Sequence, residues 1–318
     1  MRERTMCLLF FLFLVVAFSG CGVHNEAALG TVEPNPSSAQ AEASSSPSPA
    51  STPSLEPKPS PSQTPAPLSS SIGSVPQVKH AFSAAEEAVV KQYRSAIPQK
   101  WGERLPGIRT HIVTKEPLIA LTFDACGGKE GSGYDKKLID YLIKEKIPAT
   151  LFVNARWIEA NPDIFAQLAA NPLFEIENHG TEHRPLSVNG KLAYGIKGTK
   201  SVEEVIHEID DNADHIEKLT GRRPLFFRSG TAYYDDVSAS IVHDLGFQAA
   251  GYNVLGDAGA TYNTEQVYQA LTKAKSGSIV LAHMNHPEKD TAEGVMKAIP
   301  VLQKAGFRFV QLATYDLD

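Results

Sequence analysis

From Leu118 onward the chain alternates short apolar runs with stretches of helical period. The apolar runs predict strands over Leu118–Asp124, Ala149–Asn154, Phe174–Asn178, Leu225–Arg228, Gln248–Val254, Ser278–His283 and Phe307–Leu312. The intervening pattern predicts helices over Tyr134–Lys146, Pro162–Ala170, Ser201–Thr220, Asp236–Leu245, Thr264–Lys275 and Thr291–Ala305. Ser201-Val202-Glu203-Glu204 reads as a capping box, and Gly221 just past Thr220 reads as a helix stop. Near-continuous apolar strands alternating with helices specify a parallel sheet covered by helices on its outer face. About seven such strands suit an α/β distorted (β/α) barrel better than a doubly wound sheet. An amphipathic helix near Ser83–Ile97 precedes them, so residues 79–107 form a helical extension and residues 108–318 the main domain.

The first quarter of the chain reads differently. Arg2 and Arg4 precede an apolar stretch, Cys7–Phe18, that is too short to span a bilayer as a mature helix but suits a signal-peptide core over residues 1–20. Phe18-Ser19-Gly20-Cys21 resembles a bacterial lipobox, which implies cleavage before Cys21 and lipid attachment to its sulfur. A plain signal peptide or an uncleaved anchor are the alternatives, and all three export the chain. Residues 21–78 are Pro, Ser, Thr and Ala with almost no aromatics, which buries too little apolar surface to order a fold. As a coil this tether spans roughly 40 Å, and drawn out as polyproline II up to ~180 Å.

Charge and cysteine content narrow the classes further. A formal charge of −6 with no basic stripe and no aromatic-basic interleaving argues against nucleic acid as a partner. Of 3 cysteines, Cys7 lies in the leader and Cys21 at the lipid site, so Cys126 has no intramolecular disulfide partner. Gly127, Gly128, Gly131 and Gly133 lack both the Walker lysine-hydroxyl pair and dinucleotide spacing.

The chemistry collects at the C-terminal ends of the strands, where parallel α/β folds bind ligands. Asp124 ends the first strand, His179 and His183 follow the third, Arg228 ends the fourth, Asp257 follows the fifth and His283 ends the sixth. Core packing alone would place Val, Ile or Leu there. Two imidazoles four residues apart reach one side of a helical turn and can chelate a divalent cation. A guanidinium after two buried aromatics, as in Phe226-Phe227-Arg228, needs a carboxylate, and Asp124 is the natural one. His286 reads as rim. Asp135 reads as an N-terminal helix charge, close enough to the first loop to be a weaker site candidate.

These residues resemble the polysaccharide deacetylases of the chitooligosaccharide deacetylase homology domain, over roughly Ile108 to Leu312. Thr122-Phe123-Asp124-Ala125 looks like the family's Thr-Phe-Asp-Asp, and His179-Gly180-Thr181-Glu182-His183 like its His-Ser/Thr-x-x-His. Arg228-Ser229-Gly230-Thr231 keeps only the arginine of Arg-x-Pro-Tyr/Phe. Gly256-Asp257-Ala258 stands where Asp-Trp is usual, and Leu281-Ala282-His283-Met284 keeps the histidine of the last motif. The resemblance implies a distorted barrel, a divalent metal (zinc expected) and removal of N-acetyl or O-acetyl groups from a chitin-like or cell-wall polysaccharide. It makes Asp124 the general base, Arg228 its clamp, His283 the acid oriented by Asp257, and His179 and His183 metal ligands. Gly230, Thr231 and Tyr233 are the expected substrate contacts, and a monomer at the membrane surface, held through Cys21, is the expected assembly.

Ala125 departs from the family, since it offers no ligand atom at the third metal position. Three outcomes fit the sequence. Asp124 itself coordinates, completed by water, Asp135 or Asp257; Cys126 contributes a thiolate; or the metal is lost, leaving a catalytically silent glycan-binding lipoprotein.

Overall fold

The structure is a computed structural model that describes Ala81–Asp318; the leader, Cys21 and the tether lie outside the described residues. Nine strands form its main sheet: β1 (Ile108–Arg109), β2 (Leu118–Ala125), β3 (Ala149–Val153), β4 (Phe174–Asn178), β5 (Phe226–Phe227), β6 (Gln248–Ala250), β7 (Val254–Leu255), β8 (Ser278–His283) and β9 (Arg308–Val310). Every pairing among them is parallel, in the order β7-β8-β2-β3-β4-β5-β6-β1, with β9 added to the start of β2.

That order shows the sheet curling on itself. β6 and β7 lie near opposite ends of the sequence of pairings, yet only Gly251, Tyr252 and Asn253 connect them. So short a link reaches only about 10 Å, so the two ends must approach each other. The isolated bridge His111–Ser278 and the bond from Asn253 N to Ile279 O (3.1 Å) stitch that seam. The expected distorted barrel is the fold observed. The predicted strand Gln248–Val254 is divided at this seam into β6 and β7.

β2 explains how so apolar a run can carry an acid. All eight of its residues are buried. Its odd positions, Ile119, Leu121, Phe123 and Ala125, join the helix-facing core with Leu138, Trp157 and Val295. Ala120 instead belongs to the barrel's interior cluster with Phe152 and Phe226. Side chains alternate faces along a strand, so Thr122 and Asp124 face the interior. The register pairs Asp124 with His283 on one side and with Phe152 on the other. Each large apolar side chain buried here contributes about 1.5–3 kcal/mol, which is what holds the charged interior in place.

The helices follow the sequence closely. Ser83 caps Ala84–Tyr93 with a complete capping box, and Val89 packs that helix on Val202–Thr220. Ser201 Oγ accepts from Glu204 N as expected, but the Glu204 carboxylate accepts from Lys200 N and pairs with Arg184 instead of closing the box. Gly221 ends that helix in the left-handed region, φ 72°. A helix at Ala155–Ala160, capped by Asn154, is too short to leave a period in the sequence.

Candidate active site

The interior face of the sheet opens at its C-terminal edge into a cavity of about 640 Å³, with Asp124, Cys126, His183 and His283 at its floor. Asp124 is 3% exposed and Arg228 is fully buried. Arg228 Nη1 donates to Asp124 Oδ1 at 2.7 Å and to Thr122 Oγ1 at 2.9 Å. Its Nε and Nη2 donate to the Ala250 and Gly251 carbonyls, both at 3.1 Å, and its Cζ lies 4.0 Å from the Phe152 ring centroid. A guanidinium so fully engaged presents one fixed N–H to the carboxylate, as the sequence reading anticipated.

On the other side of the floor, Asp257 holds His283. The His283 Nδ1–H donates to Asp257 Oδ1 at 2.9 Å, while Asp257 Oδ2 accepts from His283 N at 2.7 Å and Thr291 Oγ1 at 3.0 Å. This fixes the tautomer and leaves Nε2 facing the cavity. Burial opposes charge on both groups, but the Asp257 carboxylate holds the imidazole well above its usual value, and the imidazole lowers Asp257.

The His179/His183 pair converges, although by a different route from the helical turn its spacing suggested. Residues 179–183 form a loop without helix, in which Gly180 (φ 79°) and His183 (φ 59°) are left-handed. Buried Glu208 shapes this loop: its carboxylate accepts from Glu182 N and Arg184 N at about 3.0 Å, and a Cβ on Gly180 would meet it at 2.4 Å. Burial pushes Glu208 up to about 7. The rings of His179 and His183 stack edge-on with centroids 4.8 Å apart. A main-chain carbonyl can only accept, so the contact of His179 Nδ1 with the Arg228 carbonyl, 2.9 Å, places the proton on Nδ1. Nε2 then faces Asp124 Oδ2 at 3.6 Å and Cys126 Sγ at 3.9 Å. Burial works against the Cys126 thiolate, but the rings of His183, His179 and His283 hold its thiol well below the usual value.

The donor set fits a divalent cation. Ligand atoms of Cys126, His179 and His183 lie within 4.8 Å of one another, and the Arg228 carbonyl presets one imidazole for coordination. The acids considered as completing ligands are engaged elsewhere. Asp257 is saturated by His283 and Thr291. Asp135 caps the helix Lys136–Lys144 through Leu138 N at 2.9 Å and does not line the cavity.

Of the expected substrate contacts, Gly230 and Thr231 line the cavity, while Tyr233 stands behind its wall. The wall itself escaped the sequence reading. Leu192–Ala193 and Ile196–Lys197 form a hairpin whose turn, Tyr194-Gly195 (φ 51° and 78°), is of the type that favours glycine second. Tyr194, 75% exposed, packs edge-on against Tyr233, which packs on Trp101. Glu103 accepts from both Tyr194 Oη (2.8 Å) and Tyr252 Oη (2.7 Å), locking two sequence-remote rings at the rim. His286 is also at the rim, as expected.

Residues 111–250 match the sequence profile of the polysaccharide deacetylase family. A polysaccharide deacetylase domain is thus detected over these residues. It is 28% identical to a peptidoglycan-N-acetylglucosamine deacetylase of Bacillus cereus, over 64% of this chain and 89% of that protein. It is 26% identical to the peptidoglycan-N-acetylmuramic acid deacetylase PdaA of Bacillus subtilis, over 62% of this chain and 70% of that one. The solved structure of B. subtilis PdaA, a family 4 carbohydrate esterase, shares the fold with a TM-score of 0.53 at 23% identity, covering 72% of this chain and 87% of that one. A family 4 pseudoenzyme from Bacillus anthracis shares it too, with a TM-score of 0.52 at 21% identity, covering 65% and 67%. Of the motif residues quoted from the sequence, Asp124, His183, Gly230, Thr231 and His283 line the cavity, with Arg228 bonded to Asp124 and Asp257 to His283.

Proposed function

We propose that this protein is an exported, metal-dependent hydrolase that removes acetyl groups from the amino sugars of cell-wall glycan, held at the membrane by a lipid on Cys21. One observation carries the catalytic reading. Asp124 and His283 are register partners on adjacent strands, and each is held by its own buried counter-ion at one cavity. A pure binding protein has no need of a fixed base beside a fixed acid, which separates this reading from the silent alternative that Ala125 and the pseudoenzyme relative raise. The relatives' substrates point to peptidoglycan. The exposed Tyr194 ring beside the Glu103 carboxylate supports a sugar, whose C–H face stacks on aromatics while its hydroxyls seek acceptors. Export rests on the lipobox-like Phe18-Ser19-Gly20-Cys21.

The chain's own groups divide the work as follows. Asp124, aimed by the 2.7 Å hydrogen bond from Arg228, removes a proton from the attacking water. Water oxygen bonds to the acetyl carbonyl carbon, and the carbon–nitrogen bond then breaks. His283, charged through Asp257, delivers a proton from Nε2 to the departing sugar nitrogen, which leaves poorly without it. The products are acetate and the free amine. A divalent cation on His179 and His183, with zinc the expected ion, would polarise the acetyl oxygen and acidify water at the site.

Acetate release from peptidoglycan fragments and from N-acetylchitooligosaccharides tests the reading. It is expected from wild type, lost on chelation, restored by zinc, and lost in Asp124→Asn and His283→Ala. No acetate from either substrate or from a small acetyl ester, with metal supplied, would reject the enzyme in favour of a silent glycan binder.

A further inference from the structure

We propose that Cys126 is the third protein ligand of the metal centre, so that the cation sits on one thiolate and two imidazoles and Asp124 is left free as the base. The inference rests on the reading that this site binds a divalent cation at all, but it concerns which atoms bind it.

Four observations carry it. First, strand alternation turns residues 120, 122 and 124 toward the barrel interior and buries Ala125 among the helix-facing core residues. Position 126 is therefore the next to return to the interior side. Second, the turn that follows is closed in a way that holds Cys126 there. Gly127 N donates to Gly131 O at 2.9 Å, and a Cβ on Gly127 would lie 2.6 Å from Trp157 N. Trp157 is fully buried and its Nε1 donates to Gly133 O at 2.7 Å, so both ends of the loop are fixed against one core residue. Third, the Cys126, His179 and His183 ligand atoms converge within 4.8 Å, the only such three-residue group among the described residues. Fourth, no acid takes the place of the thiol in that group. Asp124 Oδ1 is held by Arg228, and Asp124, although its Oδ2 lies 3.6 Å from His179 Nε2, is not part of the converging set. Asp257 is bonded to His283 and Thr291, and Asp135 caps a helix.

The chemistry balances simply. Cation binding displaces the thiol proton to solvent, and the neutral imidazoles donate lone pairs, giving a protein ligand charge of −1. A sulfur donor shifts preference toward zinc and cobalt and away from magnesium, manganese and calcium. A metal-bound thiolate in an open cavity also makes the centre vulnerable to oxidants that a carboxylate would ignore.

The test uses the purified protein loaded with Co²⁺ alone. Wild type is expected to bind one cobalt with a near-ultraviolet thiolate-to-metal charge-transfer band. Cys126→Ser should lose the band and bind at least tenfold more weakly, and Cys126→Asp should recover binding without the band. X-ray absorption on zinc-loaded wild type should show one sulfur scatterer at about 2.3 Å, a readout that needs no variant to fold. A cobalt shell without sulfur, a band that survives Cys126→Ser, or no metal binding would overturn the proposal. A sulfur-ligated metal in a protein that releases no acetate would leave this assignment standing and remove the hydrolase. Acetate release through an all-nitrogen-and-oxygen shell would do the reverse.

Discussion

Arg228 stands 2.7 Å from Asp124, and both side chains are buried. The His179 Nδ1–H donates to the same residue's carbonyl, so one arginine positions a carboxylate through its side chain and an imidazole through its main chain. Removing one member of a buried ion pair leaves the other charge unsolvated, which costs about 3–5 kcal/mol. Arg228→Met should therefore lower the unfolding free energy measured in urea by that amount at constant slope and abolish acetate release. A free energy within about 0.5 kcal/mol of wild type would show that Asp124 does not depend on this partner.

The His283–Asp257 pair sets the alkaline limb of the rate. His283 must be charged to protonate the leaving nitrogen, and Asp257 holds its pKa well above the ordinary 6.5. Activity should thus persist through neutral pH and fall as pH rises past that raised value. Asp257→Asn removes the raising charge, so the limb in kcat/KM should move toward acid by about one unit or more. The pair's contribution to stability has the same sign. It is fully present below the unfolded histidine value and is lost as pH rises through the folded one. An unmoved limb in the variant would assign the limb to a different group.

Packing, not conformation, makes Gly230 indispensable to the His183 position. A Cβ there would lie 2.2 Å from the His183 carbonyl carbon and oxygen. Gly230→Ala should cost about 1–3 kcal/mol and weaken cobalt binding about 10–100-fold, as loss of support for a ligand does. Gly221→Ala is the matching control: it strains a left-handed φ of 72° in open space, so it should cost about 1 kcal/mol and leave metal binding unchanged. Thermal midpoints and cobalt titrations of the two variants decide the point.

What the sequence revealed follows from what leaves a pattern. Seven strands were legible because each buries a continuous apolar run, and six candidate site residues because each ends or closely follows such a run. β1 was not, since two residues carry no period. The His179/His183 spacing announced a pair, but its geometry comes from a glycine loop clamped by Glu208, which lies a further helix away. The role of Cys126 depended on which way a strand-end side chain turns, and that was set by the alternation of β2 and by Trp157 under the following loop. Glu103, Tyr194 and Tyr252 come from three remote segments, and only the curled sheet shows that they share a rim.

That rim yields the sharpest test of substrate size. Tyr194 reaches the cavity from a hairpin tip and is held by Glu103, so its exposed ring can contact a neighbouring sugar without touching the acetyl group. A stacked aromatic contributes about 0.5–1.5 kcal/mol, equivalent to roughly 2–12-fold in affinity. Tyr194→Ala should raise KM for a peptidoglycan or chitin oligomer by about that factor, leave kcat within about twofold, and leave hydrolysis of a small acetyl ester unchanged. Glu103→Gln should reproduce the effect in part, because an amide can accept from only one of the two tyrosine hydroxyls through its oxygen. Equal losses on oligomer and small ester would mean that Tyr194 supports the fold of the cavity instead of the sugar. A loss confined to the oligomer would place the glycan chain along the hairpin, on the Tyr194 side of the cavity floor.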